Sequence, residues 1–128
     1  PLQTAFTIKE FRELTKLNHV QSKLSEEDFQ SIDPSILEKM ERPRKRLTEL
    51  ILKTARTKAS EQAERHWYLK FWRRPKQFLG QRQVESVECE MTEPLPNQNY
   101  ADENLAVRGN GETETIPCGL VIKSIGYY

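Results

Sequence analysis

The sequence has few glycines, five in all, and they are scattered. A glycine-rich loop of the kind that cradles nucleotide phosphates is therefore missing from it. Its two cysteines, Cys89 and Cys118, and its two histidines, His19 and His66, stand at no metal-ligand spacing, which argues against a zinc or cluster site. The cysteines read as reduced, buried thiols in β-like settings, and the histidines as surface or boundary residues. No apolar run approaches the ~18 residues of a membrane-spanning helix. No signal or transit peptide is recognisable within it, and no nucleophile–base pair is recognisable by spacing. From the residues alone, the chain offers no catalytic constellation.

What it has in quantity is charge, unevenly placed. The length of 128 residues sets a limit of one domain burying roughly two-thirds of its unfolded surface, and the net charge is only +1. Residues 1–82 hold 18 of the 20 Lys and Arg, whereas residues 83–128 hold 2 basic and 8 acidic residues. Within 42–82 there are 13 basic residues against 3 acids, which points to a local docking surface for an anionic partner.

Thr7 and Glu10 have capping-box spacing, and Phe6 and Phe11 that of a hydrophobic staple. With Leu14 and Leu17 they predict a helix from Ile8 to about Leu17. Ser25 with Asp28 opens a short helical turn. Asp33-Pro34 starts a helix near Ser35 to Glu41. Leu47, Leu50, Ile51 and Ala55 predict the longest helix, about Pro43 to Ala63. The period then becomes two. Trp67 to Trp72 reads as a strand, and Val87, Cys89 and Met91 mark a half-exposed one. Pro94 to Glu103 reads as a loop. Leu105 to Arg108 reads as a short strand turned by Gly109-Asn110-Gly111, and Leu120 to Ile125 as a buried strand stopped by Gly126. The expected class is α/β, helices first and then strands. Both ends look cut from a larger domain, so partial or unstable folding of the isolated piece is expected.

Arg42-Pro43-Arg44-Lys45-Arg46 falls across the predicted start of the longest helix. The positive end of a helix dipole disfavours each exposed cation by roughly 0.3–1 kcal/mol. A sequence that breaks a local rule this plainly marks a candidate functional site, although a solvated, tolerated basic face is the plain alternative. Arginine's planar fork suits carboxylates and phosphates. A second cluster, Arg73-Arg74-Pro75-Lys76, follows the aromatic strand. Aromatics interleaved with cations can stack nucleic-acid bases, so a basic, aromatic-rich nucleic-acid-binding module stands as the alternative function. A strand with one core face and one amphipathic face explains the same residues. A non-catalytic adaptor for an acidic partner is a third reading.

Several blocks resemble the adrenodoxin reductase family. They are Pro1-Leu2-Gln3 with Ala5 to Glu10, Arg42 to Leu50, Trp67 to Pro75, Pro117 to Val121, and Ser124 to Tyr127. They occur in family order and span nearly the whole chain; residues 16–40 and 92–115 match poorly. The resemblance implies an internal fragment: an incomplete, Rossmann-like NADP-binding domain, residues 1–128, of a two-domain flavoprotein. It implies an FAD-dependent oxidoreductase that passes electrons from NADPH to an acidic [2Fe–2S] ferredoxin. That activity serves steroid hydroxylation and iron–sulfur cluster assembly on the matrix side of mitochondria, peripheral to the inner membrane. Nucleic acid is not among the partners it implies.

Three assignments carry over to matching positions. Glu10 matches a residue of the NADP site, Arg12 a basic residue of the ferredoxin-docking surface, and Arg42 and Arg46 two more docking arginines. The family's glycine motifs for FAD and NADP, and its arginines for the 2′-phosphate, have no counterpart in this sequence. The flavin-contacting segment has none either, and Tyr128 stands where many relatives carry a basic residue. The piece alone is therefore expected to bind neither cofactor tightly and to be inactive.

Overall fold

The computed structural model describes residues 1–58 and 62–126. They divide into two compact units: Pro1–Phe71 with Pro96–Ala106, and Trp72–Leu95 with the chain from Val107 onward.

The first unit opens on its capping box. The Thr7 hydroxyl accepts from the Glu10 N–H at 3.3 Å, and the Glu10 carboxylate accepts from the Thr7 N–H at 2.6 Å. Phe6 stacks on Phe11 with ring centroids 5.9 Å apart, which completes the staple and fixes the path of the chain into α1 (Ile8–Thr15). The helix stops two residues before Leu17, where Leu17 N–H bonds the Leu14 carbonyl in a tighter turn. The expected short turn is a 3-10 helix, Glu26–Phe29, after Ser25. Asp33 caps α2 (Pro34–Glu38), accepting from Ser35 N–H at 2.8 Å. Lys39 and Met40 close that helix earlier than expected.

The long helix α3 spans Arg42–Arg56 rather than reaching Ala63. Beyond Ala55 the apolar residues at helical spacing, Ala59 and Ala63, are small side chains with little surface to bury against the backbone entropy. Thr57 is extended, at ψ 127°, and bonds back to Lys53 O. Residues 59–61 of that expected helix lie outside the described residues.

Strand β1 (Val20–Leu24), which lies between α1 and the 3-10 turn, was not expected. It pairs in parallel with β2 (Arg65–Leu69), Val20 opposite Arg65 and Leu24 opposite Leu69. A parallel pair needs a long crossover, and here α2 and α3 supply it. The expected strand Trp67–Trp72 starts earlier and ends at Leu69. Trp72 adopts φ 57°, a left-handed conformation that breaks the strand. Phe11, Phe29, Leu47 and Ile51 form the buried core, with Trp67, Leu69 and Phe71 packed on it. Phe11 meets Trp67 and Phe29 meets Phe71 edge to face, at 6.0 and 5.5 Å. The buried Asp28 accepts from the Phe71 N–H at 3.0 Å.

The second unit is an antiparallel sheet in the order β3-β4-β5: Arg73–Leu79, Ser86–Pro94 and Val107–Pro117. β3, a stretch of basic cluster where no strand was expected, carries Pro75. Its edge position and a register shift between Pro75 and Gln77 accommodate the missing N–H. The expected turn at Gly109-Asn110-Gly111 is a bulge inside the long β5. Glu90 and Thr92 of β4 pair with Thr113 and Gly109, so extra residues of β5 loop out between them. Gly111, at φ 88°, and the Asn110 side chain, accepting from Glu112 N–H at 2.8 Å, turn the signal for a hairpin into a kink.

The expected buried strand Leu120–Ile125 has no strand backbone, and Leu120 and Ile122 are 74% and 80% exposed. Among the described residues nothing pairs with it, and apolar side chains acquire a strand's burial only from a neighbouring sheet. Cys89 is buried as expected, whereas Cys118, past the end of β5, is half-buried; neither is in a disulfide. His19 and His66 are exposed, and no group of metal-ligating side chains forms among the described residues.

Candidate functional site

The start of α3 is where the rule-breaking charges stand, and the structure sorts them. Glu41 is the N-cap residue but makes no side-chain capping bond, and Pro43 lies in the first turn. Arg44 is drawn inward by one N–H to the Leu2 carbonyl at 2.8 Å and another to Glu103 at 3.2 Å. Lys45 lies 3.9 Å from Glu49, one turn on. Arg42 and Arg46 are exposed and have no ion-pair partner among the described residues.

These two arginines are four residues apart on one helix face, with Cβ atoms expected about 5–6 Å apart. Like charges at that spacing repel, so the pair costs helix stability twice over, through the dipole and through each other. On the opposite side of the same turns, Leu47 and Ile51 enter the core, and Thr48 returns its hydroxyl to the Arg44 carbonyl at 2.9 Å. Core packing thus holds α3 in place while its entrance stays cationic.

Arg42 and Arg46 border a groove of about 500 Å³. Thr4, Phe6, Thr7 and Ile8 line it from the α1 side, and Pro43, Leu47 and Glu103 complete it. The apolar members were missed in the sequence as a surface. The available signal was the staple residue Phe6, which was read only as helix packing. The loop bearing Glu103 is tied down by Gln3, whose side-chain amide donates to the Tyr100 and Asp102 carbonyls at 2.7 and 2.9 Å.

Glu10 and Arg12 lie on α1, exposed, and neither lines the groove. Hydrogen bonds from the Thr7 backbone, then from its hydroxyl, hold the Glu10 carboxyl below its ordinary range. Arg12 makes no ion pair among the described residues. The four predicted site residues are therefore not one cluster: Arg42 and Arg46 share a site, and Glu10 and Arg12 share a helix.

The second basic cluster is spent inside its own sheet. Arg73 bonds Glu114 at 2.9 Å, Arg74 bonds Glu90 at 2.7 Å, and Lys76 lies 3.9 Å from Glu88. Cations paired across strands leave little positive field to attract a polyanion. The aromatic strand before it has the core-and-cover character: Trp67 and Leu69 pack inward and Tyr68 is 59% exposed beneath Lys23.

No protein-family model matches the sequence. Among curated proteins, the chain is 42% identical over 137 residues to the human mitochondrial NADPH:adrenodoxin oxidoreductase. It is 37% identical to the Drosophila melanogaster protein of that name and 31% to that of Arabidopsis thaliana. Each comparison covers 99% of this chain, and the chain spans about a quarter of the relatives' length. Among solved structures it is similar to Mycobacterium tuberculosis FprA in complex with NADPH. The TM-score is 0.85 at 26% identity, over 99% of this chain and 27% of that one. The resemblance to adrenodoxin reductases thus holds along the whole chain. The mixed parallel and antiparallel architecture matches the corresponding part of an oxidoreductase.

Proposed function

We propose that this chain works inside an FAD-dependent oxidoreductase of the adrenodoxin reductase type, which passes electrons from NADPH to an acidic mitochondrial [2Fe–2S] ferredoxin. In this reading residues 1–128 form part of the NADP-binding domain, and Arg12, Arg42 and Arg46 receive the ferredoxin. The whole-length likeness to curated reductases supports the class. The single observation that carries the docking role is that Arg42 and Arg46 stay exposed and unpaired while Arg44 and Lys45, beside them, are neutralised locally.

The chain's own residues contribute placement and field. Exposed arginines steer an acidic protein into encounter and set the salt dependence of its association. Burial of Leu47 and Ile51 fixes α3, so the two guanidinium groups are presented without reorganisation of the backbone. Glu10 fits a supporting role toward the nucleotide. Both Thr7 contacts fall on Oε2, which leaves Oε1 to accept a ribose or amide hydrogen. When bound, the nicotinamide and flavin supply the two-electron to one-electron chemistry, and the protein positions them. With no glycine-rich loop for the phosphates, the 128 residues by themselves hold neither cofactor tightly and do not turn over. The setting is the matrix side of the inner mitochondrial membrane, in support of steroid hydroxylation and iron–sulfur cluster assembly. Among the described residues no helix is long and apolar enough to cross a membrane.

The test is Arg42→Glu with Arg46→Glu in the full-length reductase. The ratio of ferredoxin reduction to small-acceptor reduction by NADPH should fall at least about tenfold, the effect of losing ~1.4 kcal/mol. An unchanged ratio overturns the docking role.

A further inference from the structure

Charge alone does not account for the site, because the two free arginines flank a groove whose floor is apolar. Phe6 is half-buried and stacked on Phe11, Ile8 packs on the core, and Leu47 is 7% exposed. These side chains are backed by packed neighbours, so the apolar floor is preformed. The groove's volume, about 500 Å³, has room for a large side chain together with its neighbouring groups. Two carboxylates, the exposed Glu41 and Glu103, share the lining with Arg42, Arg44 and Arg46; Glu103 is engaged by Arg44 at 3.2 Å, so the two free arginines outweigh Glu41 and the Arg42–Arg46 side stays positive.

We infer that this groove receives an apolar anchor from the partner. The occupant is a short acidic segment with two carboxylates about one helical turn apart and a large aliphatic or aromatic side chain between them. The carboxylates meet Arg42 and Arg46, and the side chain enters over Phe6, Ile8 and Leu47. The inference rests on the docking reading above and deepens it: the arginines set the rate of encounter, and the anchor sets the lifetime of the complex. Charge complementarity selects this occupant. A wholly apolar segment would leave both guanidinium groups facing a low-dielectric surface unpaired, and a wholly charged one would leave the floor wet. Energetic hot spots commonly sit in a desolvated pocket inside a polar rim.

The experiment uses the full-length reductase and adrenodoxin as the probe. Dissociation constants are measured across ionic strength for the unmodified protein, for Arg42→Glu with Arg46→Glu, and for Thr4→Trp. Thr4 lines the groove, so tryptophan there obstructs it without changing the charge of the site. Thr4→Trp should weaken binding about tenfold, ~1.4 kcal/mol, through faster dissociation, with the slope against salt unchanged. In the unmodified protein, the Ile8 methyl resonance should shift on binding and show contacts to an aliphatic or aromatic proton of the probe. That measurement needs no variant to fold. If the arginine variant weakens binding while Thr4→Trp does not and the Ile8 methyl is unmoved, docking is purely electrostatic and the anchor is wrong. If the arginine variant binds as the unmodified protein does, the docking reading itself falls, and the anchor with it.

Discussion

Arg42→Glu should make the protein more stable, although it removes a charge that the proposed function uses. Arg42 is the first residue of α3, exposed, and has no ion-pair partner among the described residues. A cation at that position costs roughly 0.3–1 kcal/mol against the helix dipole, and an anion gains a similar amount. The spacing to Arg46 changes from repulsive to attractive, adding about 0.4–1 kcal/mol. The neighbouring Glu41 takes some of this back through like-charge repulsion. A net gain of about 1 kcal/mol is expected at low salt. It should shrink toward zero near 1 M salt, where the Debye length is about 3 Å. Equilibrium urea unfolding at the two salt concentrations reads both values as a change in midpoint at constant slope. A loss of stability at low salt, or a gain that ignores salt, would mean that these arginines are not at odds with their helix. The reason for assigning them to a partner would then be gone.

Other expectations follow from the same geometry. Arg73→Ala should destabilise the fold by about 1–3 kcal/mol, since it removes a charge-assisted bond between side chains only 15% and 29% exposed; partner binding should keep its salt slope, and a lost slope would relocate the docking site. Gly80→Ala should cost about 1–3 kcal/mol, because φ is 145° and a Cβ would run into the Gln83 carbonyl, whereas Gly119→Ala meets open space and should be near neutral; paired thermal melts check the contrast. The capping carboxylate of Glu10 titrates below its ordinary 4.5 because of the Thr7 hydrogen bonds. Its contribution is therefore complete above that value and disappears as pH falls through the lowered one. Glu10→Ala should flatten the acid limb of a stability–pH profile, and an unaltered limb would show the cap to be idle.

Much of the first unit was legible because its signals are local. The Thr7–Glu10 box, the Phe6–Phe11 staple and the Asp33-Pro34 start each involve residues within five positions, and each forms as expected. What failed depended on partners distant in sequence. β1, Val-Gln-Ser-Lys-Leu, shows no alternation and is half-buried throughout, because pairing with Arg65–Leu69 defines it rather than its own pattern. Gly109-Asn110-Gly111 carries a hairpin turn's chemistry, yet β4 continues beside it and draws it into a bulge. Leu120–Ile125 has a buried strand's composition and no neighbouring strand among the described residues. At the candidate site, the misfit of arginines with a helix start was visible in the sequence. Which of them stay free was not, since that depends on Leu2, Glu103 and Glu49. Tyr127 and Tyr128, compared with the family in the sequence, lie outside the described residues.

The most direct measurement is the association rate of adrenodoxin with the full-length reductase across ionic strength, for the unmodified protein and for Arg42→Gln with Arg46→Gln. The unmodified rate should fall steeply with added salt, and the doubly neutralised protein should start lower and fall less, the curves converging once charge is screened. Superimposable curves would contradict the claim that these two side chains meet a negatively charged redox partner.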